Sequence, residues 1–342
     1  MATHRWPKSA LIALLAILLA GISQAAVAQD RPLKTVELRS AAVGRTMKYN
    51  ILLPRGYESS SQRYPVLYLL HGLTQNYTAW GLQNGAPFYA GLYDDLIVVM
   101  LDGGNSWYVN WSASEAGQKN DWADYIVRDA IGHVDATFRT IARREGRALA
   151  GLSMGGYGSI MLGLRYPDLF VSIGTTSGAL EHARQAADRL RGKPPRGPAP
   201  APQRPLSPEE QAAAAERRRQ PNPLIGIPGF NSQEERTPKG TEFAKADDAD
   251  AFDPFVLIHK VPKEKLPHIY IDCGTEDRLI AGARELAGIL IEKNIPFDYM
   301  QMPGAHNAAY WIQSIGHIMS VQYEVMKRAL GQRPIRSQAS TQ

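Results

Sequence analysis

The sequence predicts an α/β protein: a mostly parallel central sheet with helices on both faces and a proline-rich insertion. Three observations carry this. Residues 66–70 and 96–101 are short runs apolar on both faces, as buried parallel strands are. Amphipathic stretches of helical length alternate with such runs, the pattern of a sheet covered on both sides. The chain is 342 residues long and 44% hydrophobic, enough for one large domain with a sizeable core.

The elements follow in order. Residues 34–40 and 46–53 alternate in strand fashion and read as an antiparallel opening pair, ended by Pro54 and Gly56. The strand at 66–70 runs into His71-Gly72-Leu73, and the strand at 96–101 into a loop, 102–111, rich in aromatics and amides. Trp122, Tyr125, Ile126, Ile131, Val134 and Phe138 recur with helical period, predicting a helix over 122–138 with Asp121 as N-cap. A strand at 147–150 leads into Gly151-Leu152-Ser153-Met154-Gly155-Gly156 and then a stretch as apolar as a buried helix. Residues 169–174 read as another strand. The core resumes with a strand at 268–273, a helix at 279–291, a last strand at 297–302 and a helix at about 307–330, leaving a loose tail at 331–342.

Between these halves the composition changes. Seven prolines lie between Pro194 and Pro208, a density that favours extended chain over a packed core. The insertion is placed at about 181–250, with a polar, alanine-rich helix candidate at 209–219. Its position suits a lid over the site or a surface excursion.

At the N-terminus, Arg5 and Lys8 precede an apolar run at 10–22 and then Ala26-Val27-Ala28. This is the layout of a secretory signal peptide (1–28) cut after Ala28, leaving a mature domain at 29–342. The run is too short to span a bilayer comfortably, so a secreted or periplasmic protein with no stable membrane insertion is expected. The net charge of +5 is spread along the chain, with dense basic runs only at Arg143-Arg144 and Arg217-Arg218-Arg219; nucleic acid is not an expected partner. The single cysteine, Cys273, excludes an internal disulfide and a thiolate metal cluster, and reads as a core thiol.

The chemistry centres on Ser153. A strand, a sharp turn and a helix around G-x-S-x-G form a nucleophile elbow, in which Gly151 and Gly155 let the chain turn tightly and lift the serine. A serine hydroxyl needs a neighbouring base to attack a carbonyl. His306 follows the last core strand and is the best placed of eight histidines. Asp272, Glu276 and Asp277 follow the preceding strand, and Asp277, past the Gly274 turn, has the reach. The order Ser153, Asp277, His306 is the order used by α/β-hydrolases. His71 reads as a structural partner of its loop.

The segments YLLHGLTQNYTAW, LDGGNSWYVNW, AGLSMGGYGSIMLGLRYPDLF, IDCGTED and PGAHNAAYW resemble the putative-esterase family of α/β-hydrolases over about residues 34 to 330. That family includes esterase D/S-formylglutathione hydrolases, tributyrin-type esterases, feruloyl and acetylxylan esterases, and mycolyltransferases of the antigen 85 type. The resemblance implies an α/β-hydrolase fold, with Ser153 as nucleophile, Asp277 as acid and His306 as base. It also implies an oxyanion hole from the backbone N–H groups of Leu73 and Met154, and no metal or organic cofactor. S-formylglutathione hydrolases usually read GHSMGG at the elbow and work in the cytosol. Leu152 and the leader make a secreted serine carboxylesterase, acting on short-chain or carbohydrate-linked acyl esters, the better match. The alternatives are a thioesterase or acyltransferase of the same family, a peptidase, and an inactive binding protein on this fold. Trp80, Asn105, Trp107, Tyr108, Trp111 and Trp311 are the expected substrate-binding residues, with Tyr77 and Tyr310 as further candidate wall aromatics.

Overall fold

The computed structural model describes residues 31–194, 207 and 236–333; the stretch expected to be a signal peptide, most of the proline-rich stretch and the tail beyond 333 lie outside the described residues. Eight strands form one sheet: β1 (Lys34–Arg39), β2 (Thr46–Leu52), β3 (Val66–Leu70), β4 (Ile97–Leu101), β6 (Arg147–Leu152), β7 (Ser172–Thr176), β9 (His268–Gly274) and β10 (Phe297–Met302). They lie in the order β1-β2-β4-β3-β6-β7-β9-β10. The first two are antiparallel to each other, β2 is antiparallel to β4, and every pairing from β4 to β10 is parallel. A short second sheet joins β5 (Ala113–Ser114) to β8 (Gly240–Thr241).

The central strands β3, β4, β6 and β7 are buried along their whole length, which is why they read as continuous runs rather than alternations. One face is covered by helices including Met154–Arg165 and Ile280–Glu292, the other by Ala86–Ala90 and the long Ala308–Ala329. Leu149 and Ile173 point into the first layer and Ala148 and Ala150 into the second, so alternate residues of one strand serve two cores. Every parallel strand therefore delivers its carboxyl end to the same edge. Among the described residues no helix is long and apolar enough to cross a membrane.

Three expectations are corrected. The strand expected at 169–174 lies at Ser172–Thr176, because Leu169 closes a turn onto the Tyr166 carbonyl and the strand itself is built of small residues. Gly174 lies close under Gln322: a Cβ there would sit 2.6 Å from Nε2, the end of a side chain that would have to shift. The helix expected over 122–138 contains a wide turn, Tyr125–Ala130, and ends at Thr137. Asp121 takes the N-cap position as expected, but its side chain makes no capping bond; Asn110 Oδ1 accepts from the Asp124 amide instead. Finally, the described ends of the 181–250 stretch are packed parts of the domain. Helix His182–Leu190 buries Ala183, Ala186 and Ala187. Phe243 and Phe252 join the same core. Residues 195–206 and 208–235, including the helix candidate at 209–219, lie outside the described residues.

Candidate active site

The elbow follows from close packing. Gly155 touches the end of β3 so tightly that a Cβ would fall 2.3 Å from the Leu70 carbonyl oxygen and 2.6 Å from that of His71. At Gly151 a Cβ would meet the Gly155 carbonyl oxygen at 2.3 Å. Neither glycine is there for a left-handed backbone; that conformation belongs to Ser153 itself, at φ 53° and ψ −116°. The strain is held by bonds on both sides: the Ser153 amide donates to the Thr176 carbonyl, and its carbonyl accepts from Tyr157 and Ala179.

The structure brings Ser153, His306 and Asp277 together. Ser153 Oγ lies 3.0 Å from His306 Nε2, and His306 Nδ1 lies 2.8 Å from Asp277 Oδ2. Asp277 is buried, and its other oxygen accepts from the Leu279 amide at 2.9 Å. Burial alone would raise its pKa; hydrogen bonds from His306, Leu279 and Ser177, with the His306 charge, outweigh this and hold it below the ordinary carboxylate range. Asp272, five positions earlier, points away into the core, where Thr176 and Ser314 each donate to it at 2.5 Å. The Cys273 thiol is buried, which pushes its pKa up to about 12 and leaves it inert as a nucleophile.

The loop after β3 lies against the serine: a Cβ on Gly72 would stand 3.4 Å from Ser153 Cβ. The Gly72 amide donates to Gln75 Oε1 and the Thr74 amide to Asn105 Oδ1, both at 2.9 Å. The Leu73 amide between them has no hydrogen-bond acceptor among the described residues. Met154 opens its helix, so its N–H has no partner within it. His71 is fully buried, with Nδ1 donating to the Gly72 carbonyl and Nε2 accepting from the Gly103 amide. Its Nε2 also lies 3.4 Å from the Asp102 carboxylate.

A cavity of about 610 Å³ opens over Ser153 and His306, walled by Trp107 and Trp311. Trp311 meets the His306 ring edge-on, with centroids 5.1 Å apart. Trp107 stacks flat on His182 at 3.6 Å, and His182 Nε2 lies 2.7 Å from Glu242. Of the expected substrate-binding residues only these two tryptophans line the cavity. Trp80 is a core residue whose indole N–H donates to the Leu70 carbonyl. Tyr108 is also buried, its hydroxyl donating to the His71 carbonyl. Consecutive positive φ angles at Trp107 and Tyr108 turn one ring into the cavity and the other into the core. Trp111 packs on the core and donates to the Ser106 carbonyl. Tyr77 and Tyr310 are buried too. Asn105 braces the Leu73 loop instead of facing the cavity.

Sequence reasoning missed His182, Glu181, Gln185 and Arg278 on the cavity wall, and Arg236 beneath the Leu73 loop. His182 begins a helix inside the stretch read as an insertion, and no local pattern marks it as a wall residue.

Comparisons agree with this geometry. The chain is 36% identical over 143 residues to an esterase of Mycobacterium tuberculosis, spanning 41% of this chain but only 31% of that one. It is 26% identical over 261 residues to an acetyl esterase of Caldicellulosiruptor saccharolyticus, covering 75% of this chain and 82% of that one. The bifunctional endo-1,4-beta-xylanase/feruloyl esterase of Xylanibacter ruminicola matches at 32% over 156 residues, 43% of this chain and 21% of that one. Among solved structures, the serine hydrolase FphF of Staphylococcus aureus superposes with a TM-score of 0.61 at 22% identity, covering 85% of this chain and 98% of that one, which establishes the α/β-hydrolase fold. The family model described as putative esterase matches residues 40–319, a span holding the elbow and the loops that bring Asp277 and His306 to it, so the chain belongs to the putative-esterase family.

Proposed function

We propose that the protein is a secreted serine carboxylesterase that hydrolyses short-chain or carbohydrate-linked acyl esters through an acyl-enzyme. The observation that carries the reading is the unbroken contact from Ser153 through His306 to Asp277, at 3.0 and 2.8 Å. Ser153 Oγ attacks the ester carbonyl carbon while its proton passes to His306 Nε2. Asp277 holds the Nδ1–H tautomer and stabilises the imidazolium. The Leu73 and Met154 amides face the developing oxyanion, each donor being worth about 2.7–4 kcal/mol in comparable sites. Collapse of the tetrahedral intermediate breaks the C–O bond, and the alcohol leaves with the proton from His306. Water, deprotonated by the same imidazole, then releases the acid and restores Ser153.

The substrate class rests on the acetyl and feruloyl esterases among the relatives and on a cavity large enough for a small acyl or sugar group between two tryptophans. Secretion rests on the N-terminal pattern of Arg5, Lys8, the apolar run and Ala26-Val27-Ala28. The test is Ser153→Ala assayed on p-nitrophenyl acetate, acetylated xylan and methyl ferulate, with fluorophosphonate labelling of the wild type. Loss of at least about 10⁴-fold on any substrate the wild type turns over supports the reading. Retention within tenfold removes Ser153 as the nucleophile.

A further inference from the structure

The loop that carries Leu73 is closed between Gly72 and Gln75, by Gln75 N–H to the Gly72 carbonyl at 3.2 Å and Gly72 N–H to Gln75 Oε1 at 2.9 Å, and is braced at Thr74 from outside. Thr74 sits at φ 69°, a left-handed conformation that a β-branched residue adopts only under constraint. Its amide is held by Asn105 Oδ1 at 2.9 Å, and its carbonyl accepts from Arg236 Nη1 at 3.3 Å. Arg236 reaches this point from far along the chain, 162 positions after Thr74. It is 6% exposed, and its Nη2 donates to Asp102 at 3.1 Å.

The same segment is fastened to the neighbouring loop by its backbone. The Asn105 amide donates to the Arg236 carbonyl at 3.0 Å, and Asn105 Nδ2 donates to Thr237 Oγ1 at 3.0 Å. The fit is close: a Cβ on Gly104, itself at φ 54°, would stand 2.7 Å from the Arg236 carbonyl oxygen. One planar guanidinium thus ties the Thr74 carbonyl to the end of β4, and Asn105 ties the Thr74 amide to Arg236-Thr237, so the peptide units on both sides of the strained Thr74 Cα are held.

We infer that Arg236 is a positioning residue for the oxyanion hole: by holding the Thr74 carbonyl against Asp102 it keeps Thr74 at positive φ and so fixes the course of the loop from which Leu73, one residue earlier, presents its amide. This rests on the esterase reading of the same site. Arg236 touches no reacting atom. Without it the Thr74 backbone can relax toward negative φ, rotating the neighbouring peptides and turning a donor away from the place where charge develops. The effect belongs to the transition state, because the ground-state carbonyl depends little on that donor.

The experiment compares wild type, Arg236→Ala, Arg236→Lys and Asn105→Ala on a p-nitrophenyl ester, with binding of an aryl boronic acid as a tetrahedral mimic. For Arg236→Ala, kcat is expected to fall about 10- to 100-fold with KM within threefold, and boronate affinity to fall in parallel. Added guanidinium ion at millimolar levels should restore part of kcat, and Arg236→Lys should restore less than arginine because it cannot hold both oxygens in one plane. Asn105→Ala loosens the same residue through its amide, so it should shift kcat and boronate affinity in the same sense and serves if Arg236→Ala does not fold. Inactive wild type overturns the esterase reading itself. Active wild type, with both alanine variants folded and kcat unchanged within twofold, overturns the role of Arg236. So does a loss of kcat and fluorophosphonate labelling in simple proportion to the folded fraction, with boronate affinity of the folded molecules intact.

Discussion

His306 Nε2 stands 3.0 Å from Ser153 Oγ although 153 positions separate the two residues in the chain. The contact exists because β6, β9 and β10 end at one edge of the sheet, with only β7 between β6 and β9. The elbow after β6, the Gly274–Asp277 turn after β9 and the loop after β10 are therefore neighbours in space. The turn and the last loop also interlock, since a Cβ on Gly274 would lie 2.1 Å from the Gly304 carbonyl oxygen.

Asp277→Asn should reduce kcat by about 10⁴-fold while leaving the fold intact, because an amide can pair with the wrong tautomer of His306. The Asp277 carboxyl is held below the ordinary range, so in the wild type it stays ionised through mildly acidic pH. The acidic limb of the wild-type pH–rate profile should then carry no contribution from the Asp277 carboxyl within the mildly acidic range. A kcat–pH series on wild type and variant checks both statements.

Gly155→Ala and Gly132→Ala should move stability in opposite directions. At Gly155 the new methyl meets two backbone carbonyls at 2.3 and 2.6 Å, neither of which can swing aside. A loss of about 3 kcal/mol or more is expected. Gly132 lies in helix Ile131–Thr137 with nothing within 4 Å of its would-be Cβ, so alanine there should stabilise by about 0.5–1 kcal/mol. Denaturant unfolding of the two variants measures the contrast.

Trp107→Ala and Trp80→Phe separate a wall residue from a core residue. Removing Trp107 deletes the face that stacks on His182 and should raise KM several-fold. Trp80→Phe leaves the Leu70 carbonyl without its donor, costing about 1–3 kcal/mol of stability with KM unchanged. Steady-state kinetics and thermal melts on the same preparations decide the matter.

Asp102 should make stability depend on acid. Burial opposes its ionisation, yet the His71 ring, the Arg236 guanidinium and the Gly104 amide hold its pKa down to about 2. An ordinary aspartate titrates near about 3.9, so this contribution, about 2 kcal/mol, is complete above that pH and is lost as the pH falls toward 2. The stability gap between wild type and Asp102→Asn should accordingly narrow between pH 5 and pH 2. A gap that stays constant over this range would show that Asp102 carries no such linkage.

Legibility in the sequence followed the range of the interaction involved. Strand β10 and helix Ala308–Ala329 were readable to within a residue or so because apolar periodicity is a local property. Strand β7 was misplaced because, apart from Ile173, it is built from Ser, Gly and Thr, buried by their small size rather than by hydrophobicity. Trp107 and Tyr108 are adjacent and chemically alike, yet one faces the cavity and the other the core. Both sit at φ 59°, so their opposite destinations come from the tight turn of the chain and the packing on either side of it, for which aromatic residues carry no signal. Arg236 was invisible for a different reason: it lies at the border of a proline-rich stretch, far in sequence from the loop it braces.

The sequence by itself determined the α/β class, the glycines of the elbow and the identity of Ser153, Asp277 and His306 as the residues to bring together. These depend on residue type and on position relative to a neighbouring strand, both of which are local. Tertiary structure alone decided that the three side chains meet within hydrogen-bonding distance, which aromatics form the cavity and what braces the strained Thr74 peptide. Those outcomes are set by contacts between segments 29 to 162 positions apart, where direction and distance come from packing and no local pattern records them.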